Sequence, residues 1–392
     1  MKKAGEIIII SRDVWSDVRR RRHFLAKEWA RDHRILFVEP PVSVPRLIAG
    51  MPNIPNLTEE SKSNILGPPR KVAENIFVLT PADPFPNSVP GLGGLNSMLY
   101  RMHIRDAARK LGFDNPVLWI TPEYGVCVPR FIKHRCAVYD ITDDWQHADI
   151  PPAQRKKIRK QASALLKKAD IVFTVSPNLK ADREKSRADV IYMPNGVDPA
   201  MYNIENPPVP DQLENIPEPR IGYTGTLHAD RIDAELVMSI SKLAGGDYSL
   251  VFVGPNHLPA ETVSKLEALP NVYLITGQPY DALPGFVAHF AACFIPHALT
   301  PFTHSLDPIK AYEFLAAGKP IISVPLDGLA PLADFISFAT AAEEFDAAVR
   351  SAIHADEPET IAARRAEAEK NSWSIRADEI IKIITDRQHS ST

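Results

Sequence analysis

The sequence predicts an α/β protein built from two doubly wound, mostly parallel sheets. Three observations predict it. Short continuous apolar runs recur along the whole chain, helix-like stretches separate them, and a proline-rich segment lies near the middle. Strands that are apolar throughout, rather than at alternate positions, suit parallel sheets covered on both faces. Strand and helix in alternation then give the doubly wound class.

In the first half the strand candidates are 7–10 (IIII), 35–38 (ILFV), 76–79 (IFVL), 117–120 (VLWI), 137–141 (AVYDI), 171–175 (IVFTV) and 190–193 (VIYM). In the second half they are 220–224 (RIGYT), 249–253 (SLVFV), 272–275 (VYLI), 293–295 (CFI) and 321–324 (IISV). Residues 203–219 hold five prolines and no periodic apolar face, which marks a linker. The expected division is therefore a first domain over 1–202, the linker 203–219 and a second domain over 220–372. A C-terminal helix over 373–392 is expected to pack back towards the first domain. Residues 42–69 read as a long irregular excursion of the kind that serves function or moves. Ligands of open α/β sheets bind beyond the carboxyl ends of the strands, so a cleft between the domains is the default site.

Composition narrows the class. The 392 residues are 45% apolar and 24% charged, an ordinary globular mixture. No stretch of 18 uncharged apolar residues suggests a membrane span. The opening MKKAGEIIIISRDVW reads as a first strand rather than a signal peptide. Three cysteines, Cys127, Cys136 and Cys293, show neither a disulfide framework nor zinc spacing, which fits a reducing cytoplasm. The net charge of −3 hides a split: residues 1–200 hold 32 Lys and Arg against 22 Asp and Glu, whereas residues 201–392 hold 13 against 26. Such an asymmetry suggests that the first half faces something anionic.

The stretch 307–324, DPIKAYEFLAAGKPIISV, is the most informative. Asp307 suits an N-cap and Pro308 the first helical position. Lys310 then falls in the first turn, with Glu313 one turn on and on the same face. Gly318 suits the residue that ends the helix. Unpaired N–H groups at such a helix start favour phosphate, Lys310 adds a full charge, and Glu313 can accept two hydrogen bonds from a ribose diol. The plainer alternative is an exposed Lys–Glu pair worth a few tenths of a kcal/mol; the residues alone leave both open.

This stretch resembles the nucleotide-binding segment of GT-B glycosyltransferases of the group 1, family 4 type, whose pattern is roughly P-x-K-x-x-E-x-x-A-x-G-x-P. Further stretches resemble the family in order: 193–198 (MPNGVD), 221–233 (IGYTGTLHADRID), 251–255 (VFVGP) and 276–297. Residues 115–124 and 138–145 resemble a subgroup that includes teichuronic-acid-type transferases. The resemblance covers most of the chain and is most specific in the second domain.

The resemblance implies a GT-B fold and transfer of a sugar from a UDP- or GDP-sugar to a glycan or lipid-linked saccharide in surface polysaccharide synthesis. It further implies retention of configuration and no metal or other cofactor. Glu313 would bind the donor ribose. Lys310, Pro308, Ile309, the loop at Gly225 and Thr226, and Arg231 would lie near the diphosphate. Gln278 and Tyr280, in the loop GQPYD, would approach the base. For Arg231 the plainer reading is a pair with Asp230 or Asp233. Many members carry a second Glu eight residues before the first; here Ser305 stands there, which weakens the carry-over of donor-sugar contacts and, with it, the stereochemistry.

On the acceptor side, Asp143 and Asp144 follow an apolar strand and are candidates to take the acceptor proton or bind the acceptor; capping the next helix is the plainer reading. Trp145, His147, Asp13 and Trp15 are expected beside them. Two basic segments, Arg19–Arg22 and Arg155–Lys168, suggest contact with an anionic membrane at its inner face, against the plain reading of solvated charge. No aromatic-and-basic motif suggests nucleic acid. No G-x-G-x-x-G follows the first strand, which disfavours a dehydrogenase. A sugar-nucleotide epimerase and a non-catalytic scaffold remain as alternatives, the latter because of Ser305.

Overall fold

A computed structural model describes residues 5–354 and 357–389. The first half forms strands β1 (Gly5–Ile10), β2 (His33–Val38), β3 (Arg70–Ala73), β4 (Ile76–Leu79), β5 (Val117–Ile120), β6 (Cys136–Ile141), β7 (Ile171–Thr174) and β8 (Val190–Tyr192). They lie in the order β8-β7-β6-β5-β1-β2-β4-β3. Every pair is parallel except the edge hairpin β3–β4. The second half contributes β9 (Arg220–Thr224), β10 (Ser249–Val253), β11 (Val272–Ile275), β12 (Ala292–Ile295), β13 (Ile321–Ser323) and β14 (Ile336–Phe338), all parallel, in the order β11-β10-β9-β12-β13-β14. The apolar runs singled out from sequence are the central strands, and Ile7–Ile10, Val117–Ile120 and Leu250–Val253 are completely buried. The strands that sequence reading missed, β3 and β14, are short edge strands with polar or exposed positions.

In each sheet the strand order turns around its first strand, so a crevice opens beyond β1 and β5 in one half and beyond β9 and β12 in the other. Helices cover both faces. On one face of the first sheet lie α2 (Leu92–Lys110) and α3 (Pro152–Lys168). On the other lie α1 (Arg21–Trp29) and the C-terminal α8 (Trp373–His389), where Trp373, Ala377, Ile380 and Ile384 enter the first-half core. The remaining helices used below are α4 (Pro177–Glu184), α5 (Ala234–Ala244), α6 (Ile309–Ala316) and α7 (Pro358–Lys370).

The chain crosses between the halves earlier than composition suggests. Met193 belongs to the first-half core, whereas Val197 and Tyr202 belong to the second. The proline-rich stretch 203–219 packs on the second core through Leu213 and Ile216 rather than spanning a gap. Proline content marked the absence of regular structure there, not the absence of packing. The returning chain meets the outgoing one: Val197 N–H donates to Asn371 O (3.1 Å) and Trp373 N–H to Val197 O (2.8 Å). A Cβ on Gly196 would lie 2.6 Å from the Asn371 carbonyl, so this crossing needs glycine. The excursion 42–69 is more ordered than expected: Val42–Ser43 pairs with Ala82–Asp83, and the Ser61 hydroxyl donates to buried Glu39 (3.0 Å). Among the described residues no helix is long and apolar enough to cross a membrane.

Candidate active site

The site begins with α6, whose start differs from expectation. Pro308 is the N-cap, and the Asp307 side chain caps nothing. Its carboxylate instead accepts the Asn195 N–H (2.6 Å) and the Tyr312 hydroxyl (3.0 Å). Asn195 Nδ2 donates to the Asp307 carbonyl in return (2.6 Å). The helix is thereby fixed to the crossing chain, and burial pushes the Asp307 carboxyl up to about 7. Gly318, at φ +75°, follows the helix as expected. Ile309, in the first turn, packs towards the first-half core beside Tyr280.

Glu313 is 5% exposed, so it is not half of a solvated surface pair. Its Oε1 accepts the Tyr280 hydroxyl at 2.7 Å. Burial raises its carboxyl above the ordinary range, offset in part by Tyr280, Lys310, Tyr202 and Arg20. Lys310 Nζ donates to the Tyr223 hydroxyl (3.0 Å) and lies 4.2 Å from the Tyr223 ring centre. Gly225, at φ +124°, passes directly beneath: a Cβ there would stand 3.3 Å from Lys310 Nζ and Cε. Thr226 turns the chain beside it, its carbonyl 3.4 Å from the Tyr223 hydroxyl. Gln278 is only half-buried and donates to Thr276 O (3.2 Å), at the rim.

Arg231 does not pair with Asp230 or Asp233. Asp233 caps α5 by accepting the Leu236 N–H (3.0 Å). The guanidinium of Arg231 lies over the Phe302 ring at 5.5 Å and reaches Asp143 of the opposite half at 3.9 Å. Asp143 also accepts the Thr142 hydroxyl (2.9 Å) and faces the cleft. Its neighbour has a different fate. Asp144 accepts Arg183 of α4 (2.8 Å) and holds His147 Nδ1 (3.0 Å). The next helix starts only at Pro152, so Asp144 is neither its cap nor an open base.

Ser305 is more engaged than its place in the sequence suggested. It is 2% exposed, accepts the Asp144 N–H (3.0 Å), donates to Phe302 O (2.6 Å), and its carbonyl accepts the Ser176 hydroxyl (2.9 Å). It joins the halves at a seam, with its side chain already engaged there. A cavity of about 360 Å³ lies at this seam, lined by Ser305 together with Asp144, His147, Asp182, His304 and Asp327, and not by Glu313 or Lys310.

Across the cleft, the Trp15 ring packs on His23 (5.4 Å) and Phe37 (5.1 Å), and the Trp15 backbone N–H donates to Glu39 (2.9 Å). Trp145 packs on Phe302 (5.6 Å) under the Arg12 guanidinium (4.5 Å), which also pairs with Glu123. Asp13 pairs with Arg22; burial alone would raise its carboxyl, but Arg22, Arg20, His23 and Arg12 hold it below the ordinary range.

The run Arg19–Arg22 is therefore not a membrane patch. Arg21 is 2% exposed, its Nε on Asp140 (3.0 Å) and its Nη1 on Pro194 O (2.7 Å). Arg22 is 5% exposed. Arg20 stands in the cleft, where burial lowers its proton affinity and Asp13, Arg231, Arg22 and Asp143 all act on it. Sequence reading missed Arg20 because four successive arginines look like solvated charge; only the loop position after β1, at the crevice, could have signalled otherwise.

Glu313, Lys310, Gly225 and Arg231 thus converge at one end of the second sheet and face Arg20, Asp13 and Asp143 beyond the first. Solved structures share this architecture. A sucrose-phosphate synthase from Thermosynechococcus elongatus superposes with a TM-score of 0.69 at 14% identity, covering 99% of this chain and 100% of that one. HepE from Anabaena, in complex with UDP and glucose, gives 0.65 at 13% identity, covering 97% and 100%. The fold is GT-B. No family model matches the chain. Among curated proteins, a putative teichuronic acid biosynthesis glycosyltransferase of Bacillus subtilis, TuaH, is 24% identical over 202 residues. That match spans 48% of this chain and 50% of the relative, so the chain covers about half the relative's length. In the GT-B frame the cleft just described lies between the two sheets' carboxyl ends, where ligands of such folds bind.

Proposed function

We propose that the protein is a glycosyltransferase that moves a sugar from a nucleoside-diphosphate donor to a glycan or lipid-linked saccharide of surface polysaccharide synthesis. The observation that carries this is the convergence of a buried, hydrogen-bonded Glu313 with Lys310 and Arg231 around a glycine that clears the space beneath Lys310. Glu313 is withdrawn from water and held by Tyr280, so its carboxylate is fixed in place to accept hydrogen bonds from a ribose diol. Lys310 and Arg231 neutralise the diphosphate, with Arg20 approaching from the first half. Solved neighbours bind UDP with glucose and UDP-2-fluoroglucose, which makes a UDP-sugar the first donor to test.

In the reaction the bond between the anomeric carbon and the diphosphate oxygen breaks. The electron pair leaves with the diphosphate, where Lys310 and Arg231 stabilise it. The acceptor hydroxyl oxygen bonds to the anomeric carbon, and its proton passes to Asp143 or to the leaving phosphate. Asp144, occupied by Arg183 and His147, has the positioning role. Retention of configuration and independence from metal are part of the proposal, with the two cations doing the work a metal would do.

The test is a thermal-shift titration with UDP, GDP and ADP and their glucose and mannose conjugates, alongside Glu313→Ala. A ligand at a hundred times its Kd stabilises by about 2.7 kcal/mol. One nucleotide should stabilise the wild type and not the variant. Stabilisation by none would overturn the donor site; donor conversion without any acceptor would point to an epimerase, and binding without turnover to a scaffold.

A further inference from the structure

His297 lies two residues beyond the end of β12, at the crevice between β9 and β12. The main chain is fixed on both sides of it: Asp233 N–H donates to Pro296 O (2.9 Å) and Ala298 N–H to Arg231 O (2.7 Å). His297 is 2% exposed, and neither of its ring nitrogens has a hydrogen-bond partner among the described residues. The imidazole meets the Tyr223 ring edge-on at 6.2 Å, and the same Tyr223 ring lies under Lys310 Nζ. Burial holds the proton affinity of His297 well below the ordinary range, and the charges of Lys310 and Arg231 lower it further. The imidazole is therefore neutral, with one N–H to donate and one nitrogen to accept.

A histidine buried for structure finds partners. His23 does so: it is completely buried, its Nδ1 accepts the Arg20 N–H (3.1 Å), and its Nε2 then donates to Val14 O (2.9 Å). An unpaired polar group in the same surroundings is costly, and a bound ligand is what repairs it. Close to His297, Arg231 Nε is also buried and without a partner among the described residues. Unpaired N–H donors on both sides of Lys310 suit an anion rich in oxygen. A lysine ammonium supplies charge on a flexible stem, whereas a ring on a fixed backbone supplies direction. We propose that His297 donates a hydrogen bond to an oxygen of the donor's second phosphate, the one joined to the sugar, and so orients that phosphate between Lys310 and Arg231. The inference rests on the donor-site reading above and adds to it the neutral group that fixes the angle of the leaving phosphate.

Calorimetry on the full chain with UDP and UMP, or with GDP and GMP where guanine nucleotides are the ones that bind, tests it. His297→Phe keeps a buried ring and removes both nitrogens. It should lower the affinity for the diphosphate by about tenfold to a hundredfold and leave that for the monophosphate unchanged. His297→Gln, which returns an N–H donor, should recover much of the loss. Without nucleotide, the His297→Phe protein should melt no lower than wild type, because an unpaired buried polar group has gone. A histidine kept for structure would give the opposite pair of results, a lower melting temperature with diphosphate affinity retained. That pair, equal losses for diphosphate and monophosphate, or a loss seen only with the sugar conjugate would each overturn the proposal. Wild-type protein that binds no nucleoside diphosphate would overturn the donor site itself and this inference with it.

Discussion

The two walls of the cleft are built differently. The donor wall takes Lys310 and Glu313 from one helix, three positions apart, and completes them with Tyr223 and Gly225 at the end of β9 and Tyr280 from the loop after β11. The opposite wall is a set of ion pairs, Arg12 with Glu123 and Arg21 with Asp140 from far apart in the sequence and Arg22 with Asp13 from nearby, while Asp143 reaches Arg231. A helix face can present a site by periodicity alone. A wall of paired charges exists only once the fold has brought its partners together and withdrawn them from water. The difference predicts that mutations in the opposite wall cost stability first, whereas mutations in the donor wall cost function first.

The largest effect on stability should come from Arg21→Met. It leaves Asp140, completely buried, without its partner, and removal of one member of a buried pair costs about 3–5 kcal/mol. Urea unfolding measures it. A cost below about 1 kcal/mol would mean that the wall is held by packing and that the comparison is misdrawn.

Lys310→Ala should do the reverse. In the proposed reaction its ammonium stands where charge develops on the leaving diphosphate, and loss of such a group lowers turnover by about 10²–10³. Because the side chain is only half-buried, the urea midpoint should move little. A Lys310 variant that unfolds as readily as Arg21→Met, with turnover retained, would put Lys310 among the structural charges. Gly225→Ala is gentler. At φ +124° an alanine is strained by about 1–3 kcal/mol and crowds Lys310 at 3.3 Å. It should appear mainly as weaker nucleotide binding, measured by calorimetry. Equal affinity would show that Lys310 gives way freely.

The same contrast explains what the sequence could reveal. Parallel strands, the helix carrying Lys310 and Glu313, and the turn at Gly318 are local patterns, and they were legible from apolar runs and spacing. Asp307 looked like a cap because its position fits one; that its carboxylate goes to Asn195 and Tyr312 depends on the crossing chain, which no local pattern encodes. Ser305 looked like a gap in a sugar site, yet its hydroxyl and carbonyl are both used between the halves. The four arginines at 19–22 looked like surface because isolated charge is costly to bury, and the acids that make burial possible lie as far as 119 residues away. The proline-rich stretch suggested a linker because proline excludes regular structure, while Leu213 and Ile216 were too few to signal packing.

Asp307 belongs to neither wall; it lies at the seam that joins them, and its effect appears only with pH. Its folded pKa is raised from the ordinary 3.8 to about 7. Between those values the folded protein holds a proton that the unfolded chain has released. Stability from this group is therefore present at low pH and is lost as pH rises through about 7, by up to about 1.4 kcal/mol per pH unit inside that window. Asp307→Asn should remove this contribution, so the fall in urea midpoint between pH 5 and pH 7 should be shallower in the variant than in the wild type. Other buried carboxyls, Glu313 and Asp140 among them, are common to both proteins and cancel in the difference. Identical slopes would mean that Asp307 is ionised throughout, held by the Asn195 N–H, the Tyr312 hydroxyl and the nearby Arg21. In that case the seam would be an ionic element like the opposite wall, and the division between walls would extend across the junction itself.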